Sequence, residues 1–239
     1  MEPLYLKDCY IKEFEATVKN VKDDNFIVLD NTAFYPDSGG QPYDTGILIR
    51  KDLEFPVVYV GKFDSVISHE ISIQGLCPGD IVNGIINWER RYLFMKYHTA
   101  CHILSAIIHN ETGAQITGSQ LGDKKTRVDF SLEDFDRELI QSYESRVNEV
   151  IDQGRPVSIN IMPREEAFSI PSVVKLKDAF PPDIQQIRVI TISGIDQQAC
   201  GGTHVANTNE IPHIEIFKAE NKGKNNRRIY FRFIADQSI

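Results

Sequence analysis

DIVNGIINW at residues 80–88 runs straight into ERRYLFMKYHTACHIL at residues 89–104, and this junction decides the fold. Up to Ile86 the apolar residues come in short runs rich in Val and Ile. From Trp88 they recur every three or four positions, which is helical spacing. Asn87 is placed as an N-cap with Glu89 in the first turn. Phe94, Tyr97, Cys101, Leu104 and Ile108 make one apolar stripe, and Thr112-Gly113 supplies a stop.

Upstream, EATVKNV (15–21), NFIVLD (25–30), GILIR (46–50) and FPVVYVG (55–61) are further short runs, broken by Asp-Asn, Ser-Gly-Gly and Pro-Gly turns. Several short strands at this spacing predict a small β-barrel or sandwich. Downstream, TRVDF (126–130) reads as a strand. Ser131 and Asp134 form an S-x-x-D capping box before a second long helix that ends at Gly154. VSINIM (157–162), a short helical piece at Arg164–Phe168, and the strands IRVITI (187–192), HIEIFKA (213–219) and RRIYFRFI (227–234) follow. The expectation is an α+β protein with two domains. Residues 1–87 form a small β-barrel domain, and residues 88–239 an α+β domain with two long helices over a mostly antiparallel sheet.

The chain has 239 residues, enough to bury a core without disulfide staples. Hydrophobic residues are 41% and charged residues 25%, ordinary for a water-soluble globular chain. No apolar run is long enough to span a membrane, and the start MEPLYLKDCYIKEFEATV lacks a signal peptide's apolar core and cleavage site, so a cytoplasmic protein is expected. The net charge of −8 argues against a general DNA-coating role, because phosphate neutralisation supplies most of such affinity. One basic stretch stands out: Lys222, Lys224, Arg227, Arg228 and Arg232, with no acidic residue among them. Its plain alternative is a solvated face. The four cysteines are widely spaced with no CxxC, as in a chain whose thiols stay reduced.

His98 and His102 lie four apart on the helix, so their imidazoles can share one ion. Their row, with Ser105 and His109, runs beside the apolar stripe and so at the rim of the core. About a hundred residues later Cys200-Gly-Gly-Thr-His204 repeats the spacing in a Gly-Gly turn between strands. One thiolate and three imidazoles make a tetrahedral donor set suited to zinc. Glycines at 201 and 202 let the backbone fold tightly and leave room for a ligand. Four protein donors are also what a purely structural zinc has, and the spacing leaves catalytic and organising roles both open. His69, His109 and His213 have no partner at ligand spacing. Cys101 falls on the core stripe and reads as packing.

Arg91-Tyr-Leu-Phe-Met95-Lys-Tyr-His98-Thr-Ala-Cys-His102-Ile-Leu resembles the RxxxMxxHTAxHLL signature of the editing domain of alanyl-tRNA synthetases. Cys200-Gly-Gly-Thr-His204 is similar to that domain's second zinc motif. Thr32-Ala-Phe-Tyr-Pro-Asp-Ser-Gly-Gly-Gln41-Pro-Tyr-Asp-Thr-Gly46 is similar to the glycine-rich loop of its preceding β domain. The three occur in the family's order over nearly the whole chain, and a protein without an aminoacylation domain ahead of them is expected. The chain thus resembles the freestanding alanyl-tRNA editing proteins (AlaX) of medium length. Threonyl-tRNA synthetase editing domains share the histidine and cysteine pairs but not the loop.

The resemblance implies a hydrolase that removes serine, and also glycine, from alanine tRNA in trans while sparing alanyl-tRNA. It implies one zinc per chain on His98, His102, Cys200 and His204. It places substrate contacts at Gly39, Gly40 and Gln41 and at Gly201, Gly202 and Thr203. Thr117 and Gln120 become candidates for reading the seryl hydroxyl, with a polar turn between helix and strand as the bland alternative. Candidate RNA contacts are Arg90, Arg91, Lys124, Lys125, Arg127, Lys222, Lys224, Arg227 and Arg228. Two other functions stay in view: a zinc-stabilised tRNA-binding module without catalysis, and a zinc hydrolase of another ester. The oligomeric state is not readable.

Overall fold

The structure, a computed structural model, describes residues 2–132, 137–174, 184–223 and 225–234. The chain divides into two compact units, Met1–Met95 and Lys96–Ile239. In the first unit the strands are β1 (Glu2–Pro3), β2 (Glu13–Lys22), β3 (Phe26–Leu29), β4 (Asn31–Thr32), β5 (Gly46–Arg50), β6 (Leu53–Phe63), β7 (Val66–Ile71) and β8 (Ile81–Ile86). Six of them close into a barrel in the order β2-β3-β7-β6-β5-β8, and β1 pairs in parallel with β4 beside it. The barrel foreseen from the Val/Ile runs is therefore present. Alternation does the sorting: Phe14, Ala16 and Val18 of β2 turn inward while Glu13 and Glu15 face water. Val18, Ile27, Leu29, Leu48, Val60, Ile71 and Val82 fill the interior.

Two glycines mark where strands approach too closely for a side chain. A Cβ on Gly46 would lie 2.1 Å from the Ile85 carbonyl oxygen, and one on Gly84 would lie 2.5 Å from the Phe14 ring. Strand β7 has no counterpart among the sequence-predicted runs, because Ser68 and His69 interrupt its apolar pattern. Both are nonetheless buried. The His69 ring bonds the Thr32 hydroxyl at 2.8 Å and the Ile27 carbonyl at 2.9 Å, which satisfies both nitrogens. Burial pushes its pKa down to about 4, so this histidine is a neutral core residue.

Helix α1 (Trp88–Thr112) starts as expected, with the Asn87 side chain accepting from the Arg90 N–H at 3.2 Å. It stops at Gly113, whose φ is +75°. Near its start Arg91 is fully buried. Its guanidinium grips both Asp44 carboxylate oxygens and also donates to the carbonyls of Cys9 and Ala33. Asp44 in turn accepts from the Tyr35 N–H at 2.6 Å. This ion pair thus pins both ends of the Tyr35–Asp44 loop. At that loop's tip Ser38 and Gln41 exchange backbone hydrogen bonds around Gly39 and Gly40, both at positive φ, as a two-residue hairpin turn requires.

The second unit continues with β9 (Ile116–Gln120), β10 (Thr126–Phe130), α2 (Arg137–Asp152), β11 (Val157–Pro163), α3 (Arg164–Ala167), α4 (Pro171–Val174), β12 (Gln186–Ile192), β13 (Asp196–Ala199), β14 (Ile214–Asn221) and β15 (Arg227–Phe233). The expected α+β character holds. The strands form two antiparallel sheets rather than one, in the orders β14-β15-β10-β9 and β11-β12-β13. Residues 116–120, open to reading as a polar turn, form an edge strand paired with β10. Asp134 of the expected capping box lies outside the described residues, while Gly154 ends α2 at φ +60°. Helix α1 buries Ala100, Ile103, Ala106 and Ile107 as well as the predicted stripe. A helix surrounded on nearly all sides carries a weak amphipathic signal, which is why one stripe alone was read. No helix among the described residues is long and apolar enough to cross a membrane.

Candidate metal centre

Helix α1 supplies His98 and His102 one turn apart, and the loop between β13 and β14 supplies Cys200 and His204. One nitrogen or sulfur donor from each of the four lies within 4.8 Å of all the others. Cys200 Sγ is 3.5 Å from His98 Nε2 and 3.4 Å from His204 Nε2. A tetrahedral ion with N and S bonds of about 2.05 and 2.3 Å has S···N edges of about 3.6 Å. These two S···N pairs therefore stand close to ligating separation.

The far side of three of the four donors is held by a neighbour. His102 Nδ1 faces Asp196 Oδ2 at 2.8 Å, His204 Nδ1 faces the Thr99 hydroxyl at 3.1 Å, and the Gly202 N–H donates to Cys200 Sγ at 3.3 Å. All three imidazoles thus turn Nε2 toward the group. Burial opposes charge on Cys200, but His98 and His204 overcome it and hold the thiol well below its ordinary value. Burial also drives His204 well below its ordinary value. It pulls the same way on His102, where Asp196 and Cys200 prevail and raise it to about 10. Three imidazoles and an anionic sulfur in one cluster form a site that could hold a metal ion, His102 giving up its Nε2 proton in exchange.

The rim position expected for the histidine row holds for His98 and His109, which are half-buried, while His102 at 8% and Ser105 at 3% exposed lie deeper. Of the other two donors His204 is 2% exposed and Cys200 half-buried. The role expected for the glycines changes as well. Neither Gly201 nor Gly202 takes a positive φ, and a Cβ at Gly201 would meet nothing within 4 Å. Gly201 thus contributes open space rather than a tight turn, and Thr203 beside it is fully buried. Sequence reading missed Asp196 and Thr99, the partners of two donors. Thr99 lies inside the HTAxH motif and Asp196 four residues before Cys200, but neither spacing by itself distinguishes a partner from a bystander.

The remaining candidates separate. His109 Nδ1 sits 2.9 Å from the Ala114 carbonyl at the end of α1, and His213 pairs with Asp152 on the surface. Cys101 is buried, and that burial pushes its thiol up and keeps it protonated. Thr117 and Gln120 are exposed on β9. The Thr117 hydroxyl donates to Asn226 at 3.3 Å and the Gln120 carbonyl accepts from Arg127 at 3.2 Å.

A cleft of 430 Å³ is lined by Ser105, His109, Thr191, Asp196 and Gln197 among others, and by neither Thr117 nor Gln120. A second cleft of 370 Å³ brings Gln120 together with Lys124, Lys125, Arg127, Asp123 and Tyr230. Of the other basic candidates, Arg91 is sealed on Asp44, out of reach of an RNA phosphate. Arg90 packs over Tyr43 and Phe94. Arg227 is buried against the Gly223 and Asn226 carbonyls, Arg228 forks onto Asp129, and Lys222 pairs with Glu220. Arg232 pairs with Glu215, and Lys224 lies outside the described residues.

Comparison with known proteins follows the same two units. Residues 6–90 match the family described as tRNA synthetases class II (A). Residues 187–230 match the one described as Threonyl and Alanyl tRNA synthetase second additional domain. The chain is 51% identical to the alanyl-tRNA editing protein AlaX-M of Methanosarcina acetivorans, over 98% of this chain and 99% of that one. It is 43% identical to AlaX-M of Saccharolobus solfataricus, over 96% and 98%. It is also 38% identical to the alanine–tRNA ligase of Pyrococcus furiosus, over 95% of this chain but 25% of that longer protein.

Proposed function

The chain belongs to the alanyl-tRNA editing proteins, and from that premise we propose that it deacylates mischarged alanine tRNA in trans. Its substrates on this reading are the serine ester and also the glycine ester at the tRNA 3′ adenosine, and alanyl-tRNA is spared. The observation that carries the reading is end-to-end identity of about half with freestanding editing proteins. The metal group supports it, because its four donors come from the two motifs singled out in the sequence.

We assign zinc, one per chain, to His98, His102, Cys200 and His204, since the mixed thiolate–imidazole set and its S···N separations suit that ion. When bound, zinc supplies a Lewis acid that polarises a water or an ester carbonyl. The chain's own contribution is placement. An aminoacyl ester is already activated, so orientation and exclusion of bulk water are what the site must add. Open space at Gly201 suits the approach of the ester, whereas Thr203 is fully buried and drops out as a direct contact.

Selectivity takes a physical form at Thr117 and Gln120. In the free protein both are exposed and bonded to Asn226 and Arg127. Alanine is penalised when the bound tRNA end buries them away from those partners and from water, so that only the seryl hydroxyl can pair them. Phosphate contacts are assigned to the cleft of Lys124, Lys125 and Arg127. In the β unit, assigned to residues 1–87, Gly39 and Gly40 are open to a ligand and are assigned to substrate handling, whereas Gln41 is fully buried and drops out as a direct contact.

The test measures release of labelled serine from seryl-tRNA for alanine, with alanyl-tRNA as control and metal content assayed on the same sample. Fast serine release, spared alanine and about one zinc per chain support the proposal. Zinc without cleavage of either ester overturns it in favour of a binding module. Equal cleavage of both esters removes the selectivity assignment.

A further inference from the structure

We propose that Asp196 is a positioning residue for the metal centre, acting through His102. Three observations carry this. The Asp196 carboxylate stands 2.8 Å from His102 Nδ1 and is itself only 6% exposed, so the contact is shielded from water. Its other oxygen accepts from Gln198 Nε2 at 3.1 Å, which leaves the carboxylate little freedom to rotate. And Asp196 and Gln198 lie on β13, the strand that leads directly into Cys200, so the brace and a donor share one rigid segment.

The consequence is chemical as well as geometric. A carboxylate can only accept, so His102 must carry its proton on Nδ1 and present the Nε2 lone pair to the metal group. Such a partner also raises the basicity of the ligating nitrogen. The other two contacts differ in kind: His204 faces a neutral hydroxyl and Cys200 receives a backbone N–H. Asp196 therefore adds a second full negative charge beside the Cys200 thiolate. Together they match the charge of a dication. Asp196 also lines the 430 Å³ cleft, together with Ser105 and Thr191, whose buried hydroxyl oxygens have no hydrogen-bond partner. The brace thus touches both His102 and that cleft.

This inference rests on the metal reading above, and the experiment separates the two. Zinc affinity is measured by competition with a chromophoric chelator, and melting temperature is recorded with and without zinc, for the parent and for Asp196→Asn. Asparagine keeps the shape and an acceptor oxygen but loses the charge. The expected result is a 10–100-fold weaker zinc affinity, the scale on which ligand-bracing partners act, with the metal-free melting temperature unchanged. The cobalt(II)-substituted variant shows an altered visible spectrum, because the His102 donor changes while Cys200 stays in place. Zinc affinity within twofold of the parent overturns the inference, as does an equal fall in melting temperature with and without metal, which marks a merely structural residue. Where Asp196→Asn does not fold, Gln198→Ala carries the test: a few-fold loss of zinc affinity supports the brace and no loss overturns it. A parent that takes up no zinc at all overturns the metal reading instead.

Discussion

Helix α1 contributes to two buried polar clusters, and they are built on opposite principles. Near its start, in the first unit, Arg91 meets Asp44 with both side chains fully buried. Every donor direction visible there ends on a fixed acceptor: the carboxylate, the Cys9 carbonyl or the Ala33 carbonyl. Further along, in the second unit, His98 and His102 meet Cys200 and His204, and what converges there is lone pairs. A cluster that matches plus with minus closes on itself and needs nothing more. A cluster that gathers electron pairs on one point is complete only with a cation. Both are buried, polar and drawn from the motifs that stand out in the sequence. Only the balance of donors and acceptors separates the structural one from the chemical one.

The comparison breaks most visibly at Asp44. Removing one member of a fully buried pair leaves an uncompensated charge, so Asp44→Ala is expected to cost about 3–5 kcal/mol of stability by denaturant unfolding. Replacing both members, with Arg91→Met and Asp44→Leu together, is expected to recover only part of that loss, because the Tyr35 N–H and the Cys9 and Ala33 carbonyls lose their partners as well. A single variant as stable as the parent breaks the claim that this cluster is self-contained. Next in size is the metal cluster. A His98→Ala, His102→Ala protein is expected to lose about 10²–10³-fold in deacylation, the scale of lost transition-state stabilisation. Its far-ultraviolet circular dichroism should match the parent's, because neighbouring apolar residues hold the fold. Full activity in that variant would place the chemistry elsewhere.

A third histidine sharpens the contrast by pH. His69 sits in the barrel as a neutral core residue, its pKa lowered by burial to about 4 against an ordinary 6.5. The unfolded chain takes up its proton as pH falls through 6.5, while the folded chain resists until about 4. Stability from this group is therefore fully present above 6.5, declines across that window, and is lost below it. At 1.36 kcal/mol per pKa unit the span amounts to about 3 kcal/mol. His69→Gln is expected to flatten that part of the stability–pH curve, measured by urea unfolding at a series of pH values. An unchanged slope would mean that carboxylates alone account for the acid sensitivity.

What the sequence disclosed tracks local signals. The barrel strands, the Asn87 cap, the Gly113 and Gly154 stops and the four metal donors were legible because periodicity, caps and i,i+4 spacing are local. The misses are tertiary. Strand β7 hides behind Ser68 and His69, which are polar in sequence and buried in fact. Asp44, Thr99 and Asp196 gain their meaning from partners 47, 105 and 94 residues away. Arg91 and Arg228 looked like free cations because a carboxylate that neutralises them across the fold leaves no trace in a one-dimensional charge count.

That last lesson carries the smallest prediction. Once the ion pairs are set aside, Lys124 and Lys125 make no ion pair among the described residues, and they share their cleft with Arg127 and Tyr230. The ammonium of Lys125 lies 5.5 Å from the Tyr230 ring centre, an arrangement a phosphate can displace at little cost. Each lysine that meets a phosphate releases about one condensed counterion, so the logarithm of tRNA affinity should fall with the logarithm of salt about one unit less steeply per lysine removed. The Lys124→Ala, Lys125→Ala protein is accordingly expected to show a KM raised several-fold at low salt, a gap that narrows at high salt, and an unchanged kcat. Arg228→Ala supplies the contrast, because its charge is already spent on Asp129: it should cost stability but leave the salt slope alone. If instead Arg228 carries the slope and the lysines do not, then pairing in the free protein does not decide which cations meet RNA, and the rule that separates α1's two clusters stops at the protein surface.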